Sequence, residues 1–148
     1  MAEFAKNSFQ EWFAEYLTLY QGDVEKTFKA IMGDISIDIT SKNLPWTGIS
    51  SKAVVCYVDT NRLMAHIGTV GDSFACLVKE KECIPLSFPN RLSLRGHTGN
   101  PKAEISSECV YQEHSIAIGD LLVLLSHGRY EDRLDKGVTS MIVGLADG

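Results

Sequence analysis

Several features are missing from this sequence, and each absence excludes a class of protein. No apolar run approaches the roughly 20 residues that a bilayer-spanning helix needs. The opening MAEFAKNSFQEWFAEY has neither a basic start nor an unbroken apolar stretch, so neither a membrane span nor a secretory leader is expected. Basic residues are in the minority, with 14 Lys and Arg against 19 Asp and Glu and a net charge of -5. A chain so charged has no excess to draw it onto nucleic acid or an anionic membrane by counterion release. Cysteine is sparse: Cys56, Cys76, Cys83 and Cys109 stand at irregular intervals in apolar runs, with no C-x-x-C and no histidine pair in zinc spacing. Free, buried thiols in a reducing compartment are the expectation, and with them a cytoplasmic protein. There is no internal repeat and no low-complexity segment.

What is present suits one packed domain spanning 1–148, since 148 residues of which 45% are hydrophobic suffice for a single core. Phe9, Trp12, Phe13, Tyr16, Leu17 and Tyr20 recur at three- and four-residue steps. That spacing predicts a helix with one buried aromatic face, stopped at Gly22. Asp23 is placed to cap a second helix whose apolar stripe is Val24, Phe28, Ile31 and Ile35. The alternation of Ile35, Ile37 and Ile39 also fits a short strand, but helix to about Asp38 is the reading adopted, giving a helical pair over 4–39. Thr40 to Lys52, with Pro45 and Gly48, reads as a connecting loop.

From Ala53 the pattern changes to strands, and 52–126 reads as the β-rich part. AVVCYV, LMAHIGTV and FACLVK are separated by the turns Asp59-Thr60-Asn61 and Gly71-Asp72-Ser73, which predicts an antiparallel meander. Cys83 to Ser87 follows the charged turn Glu80-Lys81-Glu82 as a fourth strand. FPNRLSLRGHTGNPK carries two prolines, two glycines and four basic side chains without an acid, the composition of an exposed loop. Two further strands are expected, around Ile105 to Tyr111 and Leu121 to Ser126. The unbroken LLVLL of the second implies burial on both faces. A last helix is expected over 130–145, weakened by Gly137 and Gly144.

Two places carry local signals. The turn Gly71-Asp72-Ser73 follows the small residues Gly68 and Thr69. Ser126-His127-Gly128 closes a buried strand where it surfaces, a position from which folds present site residues on a rigid support. Each has a plain conformational explanation, since glycine permits a tight turn and aspartate caps its own.

Taken in order, these pieces resemble the type 2C, metal-dependent serine/threonine protein phosphatases. The run SSKAVVCYVDTNRLMAHIGTVGDSFACLVKEKECIPLS resembles the family's stretch of two strands, a Gly-Asp-Ser turn, another strand and a turn into a strand before a polar loop. GDLLVLLSHGRYEDRLD resembles the later segment in which Gly-Asp leads into an apolar strand and then Ser-Asp-Gly. The two opening helices match the family's helical pair. The resemblance implies an α+β fold, an antiparallel β-sandwich flanked by helices, here truncated. It also implies chemistry in which two manganese or magnesium ions activate the water that attacks a phosphoserine or phosphothreonine. Two divalent ions a few ångströms apart need several carboxylates to offset their repulsion.

Carried over residue by residue, the resemblance assigns two vestigial metal positions. The aspartate of Ser-Asp-Gly corresponds to His127, a neutral nitrogen donor better suited to zinc or copper than to magnesium. Asp72 matches the Gly-Asp-Ser aspartate, which in the family mainly supports the site. The family's early Glu-Asp and Asp-Gly-His-Gly ligands would precede the first helix, and its last Asp-Asn ligand would follow Asp147-Gly148. The expectation is therefore a pseudophosphatase that works by binding a protein partner or a phosphorylated segment, with Arg91, Arg95 and Lys102 of the basic loop available to a phosphate. The alternative is an active manganese- or magnesium-dependent phosphatase whose missing ligands come from a partner chain or an absent segment. A shortened sandwich leaves edges and apolar faces open, so a protein partner or a homo-oligomer is expected.

Overall fold

The computed structural model describes residues 2–41, 52–71, 73–87 and 109–125. Helix α1 spans Ala2–Leu19 and α2 spans Val24–Ser41, followed by strands β1 (Ala53–Asp59), β2 (Met64–Val70), β3 (Phe74–Lys79), β4 (Glu82–Pro85), β5 (Val110–Ser115) and β6 (Leu121–Leu125). All strand pairs are antiparallel, in two three-stranded sheets of order β1-β2-β5 and β4-β3-β6. The architecture is α+β, with no closed barrel among the described residues. No described helix is long and apolar enough to cross a membrane.

The helical pair forms for local reasons. Chain reversal after α1 uses Gln21 at φ 55° and Gly22 at φ 83°. The Gly22 N–H returns to the Leu17 carbonyl at 2.8 Å and the Gln21 N–H to that of Thr18 at 3.1 Å, which satisfies carbonyls that the helix end leaves without partners. Asp23 then caps α2, its Oδ1 accepting the Lys26 N–H at 3.0 Å. Val24, Phe28, Ile31 and Ile35 are all buried, whereas Ile37 is exposed. A strand would have turned Ile35 and Ile37 to the same side, so this difference marks helical periodicity. Tyr16 donates to Asp34 Oδ2 at 2.6 Å and ties the two helices together.

The β1-β2-β5 sheet separates two apolar clusters. On one side Ala53, Val55, Val70 and Cys109 pack with Ala5, Ile31, Met32 and Ile35 of the helices, and the α1 aromatics Phe9, Trp12, Phe13 and Tyr16 join them half-buried. On the other side Val54, Cys56 and Ile67 meet Ala75, Leu77, Ile84 and Leu122 of the second sheet, together with Leu86 and Ile116. The helices thus cover one face of the first sheet and the second sheet covers the other. The far face of the second sheet carries Phe74, Cys76, Val78, Cys83, Val123 and Leu125.

Several expectations are corrected. The three successive strands do not form a meander: β1 and β2 pair, but β3 pairs with β4 and β6. Gly71, at φ 96°, stands where the chain leaves the first sheet for the second. The strand expected around Ile105 to Tyr111 is described only from Val110 and runs on to Ser115, because Tyr111 to Ser115 pair with Gly68 to Met64. β6 is not buried on both faces. Leu121 and Leu124 are 37% and 42% exposed, since among the described residues β6 is paired on one side only. Cys76 and Cys109 are buried, but Cys56 and Cys83 are only half-buried, and all four thiols are free. The basic loop and the last helix over 130–145 lie outside the described residues, as does most of the Thr40 to Lys52 loop.

Candidate functional site

The two segments singled out in the sequence are attached at the same end of the second sheet. Phe74, two positions after Asp72, pairs directly with Leu125, two positions before His127. On the side leading in, Val70 closes β2 opposite Ala53, and Gly71 turns the chain toward a buried Ser73. The start of β3 is held firmly: the Ala75 N–H donates to Ser87 Oγ at 2.8 Å, and that hydroxyl donates to the Ser73 carbonyl at 3.2 Å. The Leu86 N–H adds a 2.8 Å bond to the Ala75 carbonyl. A rigid support therefore flanks the Gly71-Asp72-Ser73 turn. An apolar cavity of about 470 Å³ reaches this end, with Phe9, Met32, Val54, Ser73 and Leu124 in its wall.

Asp72, His127, Arg91, Arg95 and Lys102 themselves lie outside the described residues. As a donor set, one carboxylate at Asp72 and one imidazole at His127 do not fit a pair of manganese or magnesium ions, which require several oxygen anions between them. Among the described residues no three His, Cys, Asp or Glu side chains gather at a point where they could hold a metal ion.

A second constellation joins residues that the sequence did not single out. His66 on β2 stands opposite Glu113 on β5, with Tyr111 beside them. The Tyr111 hydroxyl lies 2.7 Å from His66 Nδ1 and donates to Glu113 Oε1 at 2.9 Å. A phenol has one proton, so when it serves Glu113 the neighbouring Nδ1 must carry the hydrogen that fills the other bond. Burial, and then the bond to Glu113, push the Tyr111 phenol well above its ordinary range, so it remains a proton donor at neutral pH. The His66 ring stacks on Tyr57 at 5.6 Å between centroids. Arg62, Met64 and the α1–α2 turn at Gln21 to Glu25 complete a cavity of about 480 Å³ around the group.

Within the described residues this chain of donors and acceptors orients an imidazole beside the Glu113 carboxylate. The only sequence signal for it is a polar His66 in an otherwise apolar strand. Tyr111 and Glu113 become meaningful only once the β2–β5 register is known.

No family model matches the chain, and no curated protein sequence matches it.

Proposed function

We propose that the chain is a domain of type 2C phosphatase descent that acts by binding rather than by catalysis. The observation that carries the reading is the pairing of Phe74 with Leu125, which attaches the Gly-Asp-Ser turn and the Ser-His-Gly segment to the same end of one sheet. Support also comes from the order of elements: a helical pair, a hairpin, a crossing at Gly71 into a second antiparallel sheet, and an apolar strand antiparallel to β3. The family resemblance implies an antiparallel sandwich flanked by helices, and two antiparallel sheets with a helical pair against one of them support that reading.

The non-catalytic half of the proposal rests on His127, which stands where the resemblance implies a charged oxygen ligand. An imidazole there weakens magnesium or manganese binding, because hard ions prefer oxygen. The partner is a protein, and the sequence segment holding Arg91, Arg95 and Lys102 supplies the guanidinium and ammonium groups for a phosphorylated one.

The test is calorimetry with manganese and with magnesium, followed by phosphopeptide hydrolysis at saturating metal, with His127→Asp alongside. The expected result is no turnover by the unaltered chain and tighter manganese binding by the variant. Metal-dependent turnover by the unaltered chain overturns the non-catalytic reading. If the variant binds metal no better, His127 does not occupy a ligand position and the descent itself is in question.

A further inference from the structure

The far face of the second sheet carries two thiols, Cys76 and Cys83, in one apolar cluster. Strands β3 and β4 are joined by the tight turn at Glu80 and Lys81, with Glu80 at φ 53°. The register pairs Cys76 with Pro85 and Val78 with Cys83. Directly opposed residues share a face and so do residues two apart along a strand, so Cys76 and Cys83 are diagonal neighbours on one face. Both belong to the apolar cluster with Phe74 and Val78.

The other two cysteines are elsewhere. Cys109 packs against Met32 on the helix side, its Sγ 3.5 Å from the Met32 sulfur, and Cys56 faces the cluster between the sheets. Each is separated from the Cys76–Cys83 pair by at least one layer of the fold. Access differs within the pair too: Cys83 is half-buried, whereas Cys76 is fully buried.

We propose that Cys76 and Cys83 are a peroxide-responsive pair that closes to a reversible disulfide within the β3–β4 hairpin. Cys83, the more accessible, is oxidised first: its sulfur attacks one peroxide oxygen, the O–O bond breaks, the departing hydroxide takes up the Cys83 proton as water, and Cys83 becomes a sulfenic acid. The Cys76 sulfur then attacks that of Cys83, an S–S bond forms, the S–O bond breaks, and the departing hydroxide takes up the Cys76 proton as water. In total two thiols lose two electrons and two protons, and one hydrogen peroxide becomes two waters.

Geometry makes this a switch rather than a permanent staple. Diagonal neighbours stand roughly 7–8 Å apart at Cα, just beyond the range of about 4.4 to 6.8 Å in which disulfides are relaxed. Closing the bond strains the hairpin, and strained disulfides are the readily reduced ones. The second step is slow at neutral pH, because burial, and then the neighbouring Cys83, push the Cys76 thiol up to about 12.

The test is titration of the reduced chain with hydrogen peroxide, followed by unreduced proteolytic digestion and mass spectrometry. The expected result is a chain lighter by two hydrogens, a Cys76–Cys83 crosslinked peptide, and full reversal by a dithiol. Cys83→Ser gives no crosslink, whereas Cys56→Ser still gives it. The closing rate rises by about tenfold per pH unit across the neutral range, following the Cys76 thiolate. A crosslink through Cys56 or Cys109, a crosslink between chains, or accumulation of sulfinic acid on Cys83 without a disulfide overturns the proposal.

Discussion

The ring of Phe28 rests against Gly68, so closely that a Cβ on Gly68 would come within 2.8 Å of Phe28 Cδ2 and 3.1 Å of Val55 Cγ2. Phe28 is fully buried and forms the hub of a ring cluster, with Phe9 at 5.6 Å, Phe13 at 5.9 Å and Tyr111 at 6.0 Å between centroids. Gly68 does not have the positive φ seen at Gly22 and Gly71. The demand for glycine here is one of space, set by how closely α2 lies on the first sheet.

Gly68→Ala is therefore expected to destabilise the fold by about 1–3 kcal/mol through overpacking. Urea denaturation measures this as a lower midpoint at unchanged slope. A neutral effect would mean that the Phe28 ring can move aside, and that α2 is less tightly seated than its contacts indicate.

A pH dependence follows from Asp120. Its carboxylate pairs with Lys79 Nζ at 2.8 Å and accepts the Ala117 N–H at 2.8 Å. The bond to Lys79, and then that to Ala117, hold it below its ordinary value of 3.8. With the folded pKa lowered, the stabilisation is fully present above 3.8 and is lost as pH falls through the folded value. Asp120→Asn is expected to flatten the acid limb of the stability profile below pH about 4 and to leave its neutral-to-alkaline shape unchanged. Chemical denaturation at a series of pH values reads this directly, and an unaltered acid limb would assign it to other carboxylates.

Association is the third expectation. Among the described residues β1 and β6 are each paired on one side only, and Val58, Leu121, Leu124 and Ile118 are 40%, 37%, 42% and 96% exposed. Open edges and exposed aliphatic side chains favour a partner or a second copy. Light scattering at rising concentration is expected to give a mass above that of one chain. A monodisperse monomer at high concentration counts against it.

Much of the local structure could be read from residue order. The 3.6-residue rhythm from Phe9 to Tyr20 and from Val24 to Ile35 placed both helices, and Asp23 marked the start of the second, because capping and periodicity are properties of neighbouring residues. The β1 and β3 runs and the charged turn before β4 were legible for the same reason. Which strands pair was not. Val70 and Phe74 are separated by three residues, yet they belong to different sheets. A strand turned by a glycine can double back on itself or cross to another layer with the same local pattern. The burial of Ile67 in one cluster with Ala75 and Leu77 between the sheets goes with the crossing.

The same division runs through the candidate sites. Asp72 and His127 were singled out by their motifs alone, whereas the meeting of their chain neighbours Phe74 and Leu125 depends on the strand register. The His66–Tyr111–Glu113 group and the Cys76–Cys83 pair had no sequence signature. Their members are 45 to 47 residues apart across β2 and β5 in the first case, and stand diagonally across a hairpin in the second. Helix periodicity, caps and turns follow from interactions spanning a few residues, so the sequence alone determined them. Strand partners, layer order and the meeting of distant polar groups are set by which apolar faces bury one another, and that only the tertiary structure decided.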